Sequence, residues 1–344
     1  MLSSSDAPLC TGYDLAMFDL DGVVYVGGEA VPGAPADLAA ARAAGMRVAF
    51  VTNNASRPPE RVVEHLVSLG IDAERSDVVT SAQAAARVLL DRFGADARVA
   101  CLGGEGLRAA LLALGLRPVA VDDPDASALA TGYGPDVLWR DIMHAAVRVR
   151  GGLPWVASNT DRTIPTTYGV APGHGVLVAT LADFSGVQPV VAGKPARPLL
   201  EETIRRVGGE RPLMIGDRLD TDIEGARNVG VDSLLVLTGV TGLPELAAAA
   251  PGERPTFLHP TLAGLSESHP APEVHGATVQ LGGWTARTTD GALRVSGEGA
   301  VADWWRVAAV AAWTHLDAAG AVADVSGLAP PSEPAGAGRD NLSA

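Results

Sequence analysis

A chain of 344 residues with a hydrophobic share of 47% is long enough for two or three compact units, each with its own core. Its 40 acidic residues outnumber 26 Lys and Arg, for a formal net charge of −14, which argues against nucleic acid and anionic membrane as main partners because both need clustered cations. No uncharged apolar run approaches the roughly 20 residues that span a bilayer, so no membrane insertion is expected. Residues 1–11 lack the basic and apolar regions of a secretory signal. Cys10 and Cys101 stand in no metal or redox spacing, and the expectation is a cytoplasmic, reducing compartment.

In chain order, residues 14–20 read as a buried strand at whose end stand two aspartates one residue apart, Asp19 and Asp21, followed by Gly22. Residues 32–44 read as an Ala-rich helix that Gly45 stops. A second apolar run, 46–52, ends on Thr52-Asn53-Asn54, and a helix at 59–69 ends at Gly70. This alternation implies a parallel sheet with crossover helices. Residues 81–188 alternate in the same way and are long enough to be an inserted unit. The first pattern then resumes, with strands at 189–192, 213–215 and 233–237 and helices at 198–207 and 222–229. That stretch carries Gly193-Lys194-Pro195 and the segment from Gly216-Asp217 to Asp222.

The expected division is a core over 12–80 and 189–265, an insertion over 81–188, and a small α+β segment over 273–328. Residues 266–272 read as a linker, 275–281 as a strand, and 303–316 as an Ala- and Trp-rich amphipathic helix. The tail, 329–344, is rich in Pro, Gly and Ala and is expected to be disordered. There is no fixed-period repeat.

In open parallel sheets reactive groups collect at the carboxyl ends of strands, where Asp19, Thr52 and Asp217 all fall. Phosphoryl transfer from an unreactive monoester needs an in-line nucleophile, neutralised phosphoryl oxygens and a proton for the leaving oxygen. Asp19 suits the nucleophile, through an aspartyl-phosphate. Asp21 suits the acid that protonates the leaving alkoxide and the base that then deprotonates water. A hard cation with oxygen ligands, magnesium, would hold the phosphoryl group among the carboxylates, with Asp217 as a further ligand. Each residue alone has an ordinary alternative: Asp21-Gly22 a turn, Asp222 a helix cap, Lys194 a solvated charge, Thr52 a strand end. Four pieces in order, each at a strand end or helix start, favour the catalytic reading. No Walker spacing surrounds Gly193-Lys194, and no dinucleotide fingerprint follows the first strand.

Together the four pieces resemble the motifs of the haloacid dehalogenase (HAD) superfamily of phosphatases. The resemblance implies that Thr52, with the amide of Asn53 beside it and Asn54 in the same loop, binds the phosphoryl oxygens. It implies that Lys194 offsets charge on the nucleophile and the phosphoryl group. Magnesium would be held by Asp19, the main-chain carbonyl of Asp21 and Asp217, and Asp222 would orient a water on the metal. An insertion between the second and third motifs is the type 2 cap. The run from Asp19 to Tyr25, the run from Val51 to Ser56, Ser158-Asn159-Thr160-Asp161 and Pro172-Gly173-His174-Gly175 resemble subgroup IIA, the NagD-like, 4-nitrophenyl, pyridoxal and phosphoglycolate phosphatases.

That subgroup implies an α/β fold: a HAD-like doubly wound parallel-sheet core with an inserted α/β cap that favours small phosphate esters. Its substrate-facing loop would lie near Arg162, Thr163 and Ile164, where Ile164 either meets substrate or packs in a core. Caps of such relatives often self-associate, so a homodimer is compatible. Arg294-Val295-Ser296-Gly297-Glu298-Gly299 satisfies the Arg-x-x-Gly-x-Gly pattern of GNAT acetyltransferases, but the segment is about half the length of such a domain. A packing role stands beside an alternative of another class, a coenzyme A binding or acyl-transfer module. A IIA phosphatase with a GNAT-like tail resembles the glycerol 3-phosphate phosphatases of actinobacteria. This implies hydrolysis of glycerol 3-phosphate in glycerophospholipid turnover, with phosphoglycolate and pyridoxal 5'-phosphate as alternative substrates.

Overall fold

The computed structural model describes residues 1–166 and 169–331. Six strands form one parallel sheet in the order Phe257–His259, Asp232–Val236, Pro212–Gly216, Leu15–Phe18, Arg47–Thr52 and Val78–Thr80. A strand covered on both faces reads as a continuous apolar run, and the fully buried Leu15-Ala16-Met17-Phe18 is such a run. From this strand the chain builds outward through Arg47–Thr52 on one side and later through Pro212–Gly216 on the other. The order therefore reverses at Leu15–Phe18, and the crevice beyond its carboxyl end is where an open α/β sheet binds ligands. Phe18, Phe50 and Ile215 fill the core on one face, while Met17, Val51 and Met214 fill the other.

A second parallel sheet has the order Val190–Val191, Trp155–Ala157, Ala128–Thr131, Arg98–Leu102 and Arg117–Val119. The strand expected at 189–192 in the first sheet belongs here, since Val191 pairs with Ala157 and the Ala192 N–H donates to the same residue's carbonyl at 2.9 Å. Its partial exposure suits an edge strand, unlike the fully buried Leu15–Phe18. Between the sheets lies the helix Ser81–Phe93, whose Ala84, Ala85, Ala86 and Leu89 share one apolar cluster with Met17 and Val51 of the first sheet and Val99 and Val156 of the second. Small side chains let backbones approach on both sides. A capping box starts this helix: the Gln83 N–H donates to Thr80 Oγ1 (3.3 Å), and the Thr80 N–H to Gln83 Oε1 (2.9 Å).

The third segment is a four-stranded antiparallel sheet, Glu273–His275, Thr278–Leu281, Trp284–Thr289 and Ala292–Gly297, followed by the helix Val301–Ala319. The single strand expected at 275–281 is two, folded back at Gly276, whose φ of 63° suits a tight turn. The stretch read as a linker is anchored. His269 is buried, its N–H and C=O pair with Ser5 (2.7 and 2.8 Å), and its ring lies between Gly264 O (2.7 Å) and Arg306 Nη2 (3.0 Å). A carbonyl on one side and a guanidinium on the other fix the neutral Nε2–H tautomer, and burial lowers this imidazole's pKa to about 4.

The GNAT-like glycines are also accounted for locally. A Cβ at Gly297 or Gly299 would collide with the carbonyl oxygens of Gly283 and Gly282. Asp303, in the helix's first turn, packs against Gly282 and pairs with Arg306 at 3.0 Å. A pyrophosphate at this helix start would meet a carboxylate. Residues 332–344, most of the expected disordered tail, lie outside the described residues. Among the described residues no helix is long and apolar enough to cross a membrane.

The shared apolar cluster makes the two parallel sheets one cooperative unit. Leu89→Ala is expected to cost about 2–5 kcal/mol and to lower the midpoint of a single urea transition followed by circular dichroism. Two separate transitions would contradict this.

Candidate active site

Asp19 directly follows Phe18, and its N–H still donates to Ile215 O at 2.9 Å, so the neighbouring strand fixes its backbone. Asp217 follows Gly216 at the end of the adjacent strand, and Asp222 lies five residues on, in the π-helical turn Leu219–Ile223. Lys194, 2% exposed, reaches between them from the link between the two sheets. Its Nζ donates to Asp19 Oδ1 (2.6 Å), Asp222 Oδ1 (2.7 Å) and Val51 O (3.4 Å). One oxygen from each of Asp19, Asp217 and Asp222 lies within 4.8 Å of the others.

Glycines make that convergence possible. The Asp217 carboxylate is wedged between Gly22 (φ 90°) and Gly239, and Asp222 packs on Gly216; a Cβ at any of the three would collide. Asp217 Oδ2 accepts from the Val240 N–H at 2.7 Å, and Thr238 Oγ1 donates to Gly22 O at 2.6 Å. Asp222 Oδ2 accepts from the N–H groups of Asp217 (3.2 Å) and Arg218 (3.1 Å), so this carboxylate also shapes its own loop.

Two of the three carboxylates, Asp19 and Asp222, bind the one ammonium, and Asp217 has no bond to it. Burial, followed by the charges of Asp222 and Asp19, raises the Asp217 pKa to about 8. Burial also raises Asp222 to about 6 against the pull of Lys194, and raises Asp19 against the same pull. Burial alone would lower Lys194, but Asp19 and Asp222 hold it above the usual lysine range, so it stays charged. Asp217 Oδ1 is buried without a hydrogen-bond partner. An orphaned carboxylate oxygen among oxygen-only donors with a charge deficit is the donor set of a hard divalent cation, and these residues fit one.

Asp21 is exposed and stands outside the three-acid cluster, beyond a turn closed by the Gly22 N–H donating to Tyr25 O (2.8 Å). Partial desolvation raises its carboxyl pKa, with Lys194 and Arg57 opposing. Thr52 is buried at its strand end, and its Oγ1 accepts from the Asn54 N–H at 3.1 Å. The Asn54 side chain is taken up by its own loop, accepting from Ser56 N–H (2.9 Å) and Oγ (2.8 Å). Ile164 is half-buried on the hairpin Thr163–Thr166 with Gly169–Pro172, opposite Ala171.

The Asn53 side chain does work that the sequence did not suggest. Its Oδ1 accepts from the Lys194 N–H (2.8 Å), and its Nδ2 donates to Lys194 O and Asp161 Oδ1 (3.0 Å each). Its carbonyl accepts from Asn159 Nδ2 (2.6 Å) and Ser81 Oγ (2.5 Å). Asn53 thus ties the second and third motifs to the insertion through Asp161, three residues before Ile164. The Ser158-Asn159-Thr160-Asp161 string was visible in sequence, whereas Gly239 had no local signal.

With divalent ions removed, these raised carboxylates bind more protons folded than unfolded. Their stabilising contribution is fullest below the ordinary carboxylate range and is lost as pH rises through about 6 and 8. The melting temperature in EDTA is expected to fall between about pH 5 and 9, and magnesium to restore it at the alkaline end. A melting temperature in EDTA that climbs over this range would contradict the assignment.

Residues 16–117 match the model of the haloacid dehalogenase-like hydrolases, and residues 191–265 match a second, HAD-hydrolase-like model. The chain is 40% identical over 291 residues to a D-glycerol 3-phosphate phosphatase of Mycobacterium tuberculosis, covering 85% of this chain and 80% of that protein. It is 35% identical to an acid sugar phosphatase of Staphylococcus saprophyticus, over 68% of this chain and 90% of that one. Its structure superposes on the crystal structure of a glycerol phosphate phosphatase from M. tuberculosis in complex with calcium with a TM-score of 0.82, at 38% identity over 91% of both chains. A 4-nitrophenylphosphatase from Thermotoga maritima superposes with a TM-score of 0.69 at 29% identity, over 75% of this chain and 98% of that one. By motif order, by fold and by these relatives, the chain belongs to the haloacid dehalogenase-like hydrolase family.

Proposed function

We propose that this chain is a magnesium-dependent phosphatase that hydrolyses small phosphate monoesters through an aspartyl-phosphate on Asp19, with glycerol 3-phosphate as its substrate. The observation that carries the reading is the Lys194 ammonium bridging Asp19 and Asp222 beside the unpaired oxygen of Asp217. Asp19, Asp217 and the main-chain carbonyl of Asp21 would hold magnesium, with Asp222 supporting them. When bound, the metal supplies positive charge that offsets the phosphoryl oxygens and the neighbouring carboxylates.

The chain's own residues carry the steps. Lys194 aims and restrains the Asp19 carboxylate, whose free oxygen attacks phosphorus as the ester P–O bond breaks. Asp21, with its raised carboxyl pKa, gives its proton to the departing alkoxide. It then takes a proton from the water that attacks the aspartyl-phosphate, and phosphate leaves with Asp19 restored. The Thr52 hydroxyl accepts from Asn54 and keeps its own proton to donate to a phosphoryl oxygen.

The substrate assignment is supported by the M. tuberculosis glycerol 3-phosphate phosphatase, which spans most of this chain. The insertion, fastened to the second motif at Asp161, supports a preference for small esters, and Ile164 belongs in this reading to the substrate-facing side of that insertion. Free thiols at Cys10 and Cys101 support a cytoplasmic setting. A homodimer is part of the same reading. It is supported by the exposed apolar stripe Trp139, Met143 and Val147 on the helix Trp139–Arg150, a face that a second copy would cover.

The test is phosphate release from glycerol 3-phosphate, phosphoglycolate and pyridoxal 5'-phosphate, with and without magnesium. Magnesium-dependent preference for glycerol 3-phosphate is expected, and preference for another ester would overturn the substrate assignment. Asp19→Asn is expected to lower kcat by at least about 10³-fold with the fold intact. Asp21→Asn, which removes the general acid, is expected to lower it by about 10²–10⁴-fold. Substantial turnover by Asp19→Asn would contradict the covalent route.

A further inference from the structure

The C-terminal segment uses its glycine pattern internally, in the packing around Gly297 and Gly299. Its bonds run toward the acid loop. Trp313, fully buried, donates its Nε1–H to Leu246 O at 2.7 Å, in the helix Leu243–Ala248. Arg254 stacks over the Trp313 ring (5.4 Å), pairs with both carboxylate oxygens of Asp317 (2.7 Å each) and donates to Ala249 O (3.2 Å). Arg306 donates to Leu258 O at 3.1 Å in the edge strand of the first sheet. The helix Val301–Ala319 is thereby fastened to Leu243–Ala248 through Trp313, to the residues that follow it through Arg254, and to the edge strand through Arg306.

That small helix begins directly after the loop 238–241 that grips Asp217. Val240 N–H holds the carboxylate at 2.7 Å, Thr241 N–H holds the Asp217 carbonyl at 3.2 Å, and Thr238 Oγ1 pins Gly22 at 2.6 Å. On the other flank, Leu219 and Ile223, from the turn that carries Asp222, share one apolar cluster with Leu243, Leu246, Trp304 and Trp313. Both sides of the Asp217–Asp222 loop are therefore backed by elements that the C-terminal helix covers. Converging like charges need a rigid support, since nothing in their mutual interaction holds them together.

We propose that the C-terminal helix positions Asp217 and Asp222 for cation binding, acting through the helix Leu243–Ala248, with Trp313 as the residue that couples the two. Trp313 is a positioning residue. The proposal rests on reading the three carboxylates as a cation site.

The experiment uses the full chain, with Trp313→Phe removing the indole donor while keeping an aromatic ring, and Asp317→Asn loosening Arg254 from the exposed side. Magnesium binding is read by calorimetry, and folding by circular dichroism. Trp313→Phe is expected to weaken magnesium binding about threefold, below the roughly 10–100-fold that follows loss of a partner bonded directly to a metal ligand. The magnesium needed for half-maximal phosphate release is expected to rise by the same factor, with KM for the ester and kcat at saturating magnesium almost unchanged. Asp317→Asn should shift magnesium affinity in the same direction and decides the matter if Trp313→Phe does not fold. Wild-type binding that the folded variants leave unchanged would overturn the positioning role alone. Absence of magnesium binding by the wild type would overturn the site reading beneath it.

Discussion

The arrangement depends on one buried ammonium shared by two carboxylates. Lys194 Nζ sits 2.6 Å from Asp19 and 2.7 Å from Asp222 in a site where Asp217 is a third acid without a cation of its own. A buried pair satisfies its charges only with good geometry and further hydrogen bonds; here one positive charge faces three acids, so the deficit is built in. Such a site is strained electrostatically until positive charge is added. The same deficit that raises the pKa values of Asp217 and Asp222 makes the crevice receptive to a divalent cation and to the phosphate ester it accompanies.

Holding like charges together is a mechanical problem, and most of the chain addresses it. The parallel sheet delivers Asp19 and Asp217 from adjacent strands, in register through Phe18 and Ile215. Glycines at 22, 216 and 239 remove the side chains that would keep the carboxylates apart. Asn53 fixes the Lys194 backbone from both its N–H and its carbonyl, so the cation's position is set by the second motif as well as by its own loop. The third segment adds a buried aromatic brace behind the acid loop.

The residues legible in the sequence were those whose local context carries a signal. Asp19, Thr52 and Asp217 follow apolar runs, and a strand that ends in a polar residue announces itself. Asp222 and Lys194 became specific through the order of the motifs. Asn53 was read for its amide, yet its side chain bonds to residues 108 and 141 positions away, and such contacts leave no periodic trace. Residues 189–192 were correctly apolar, but apolarity reports burial rather than which sheet a strand joins. The run at 275–281 concealed a turn because Gly276 interrupts an otherwise alternating pattern, and 266–272 looked like a tether because neither the pairing of His269 with Ser5 nor its burial against Arg306 is local.

The central claim is that Asp19 becomes phosphorylated and that water completes the reaction in a second displacement at phosphorus. The most direct test is the stereochemical course of hydrolysis, using the phosphorothioate analogue of glycerol 3-phosphate made chiral at phosphorus with two oxygen isotopes and hydrolysed in water carrying the third. Two in-line displacements predict net retention of configuration. Net inversion would mean a single attack by water and would contradict the account.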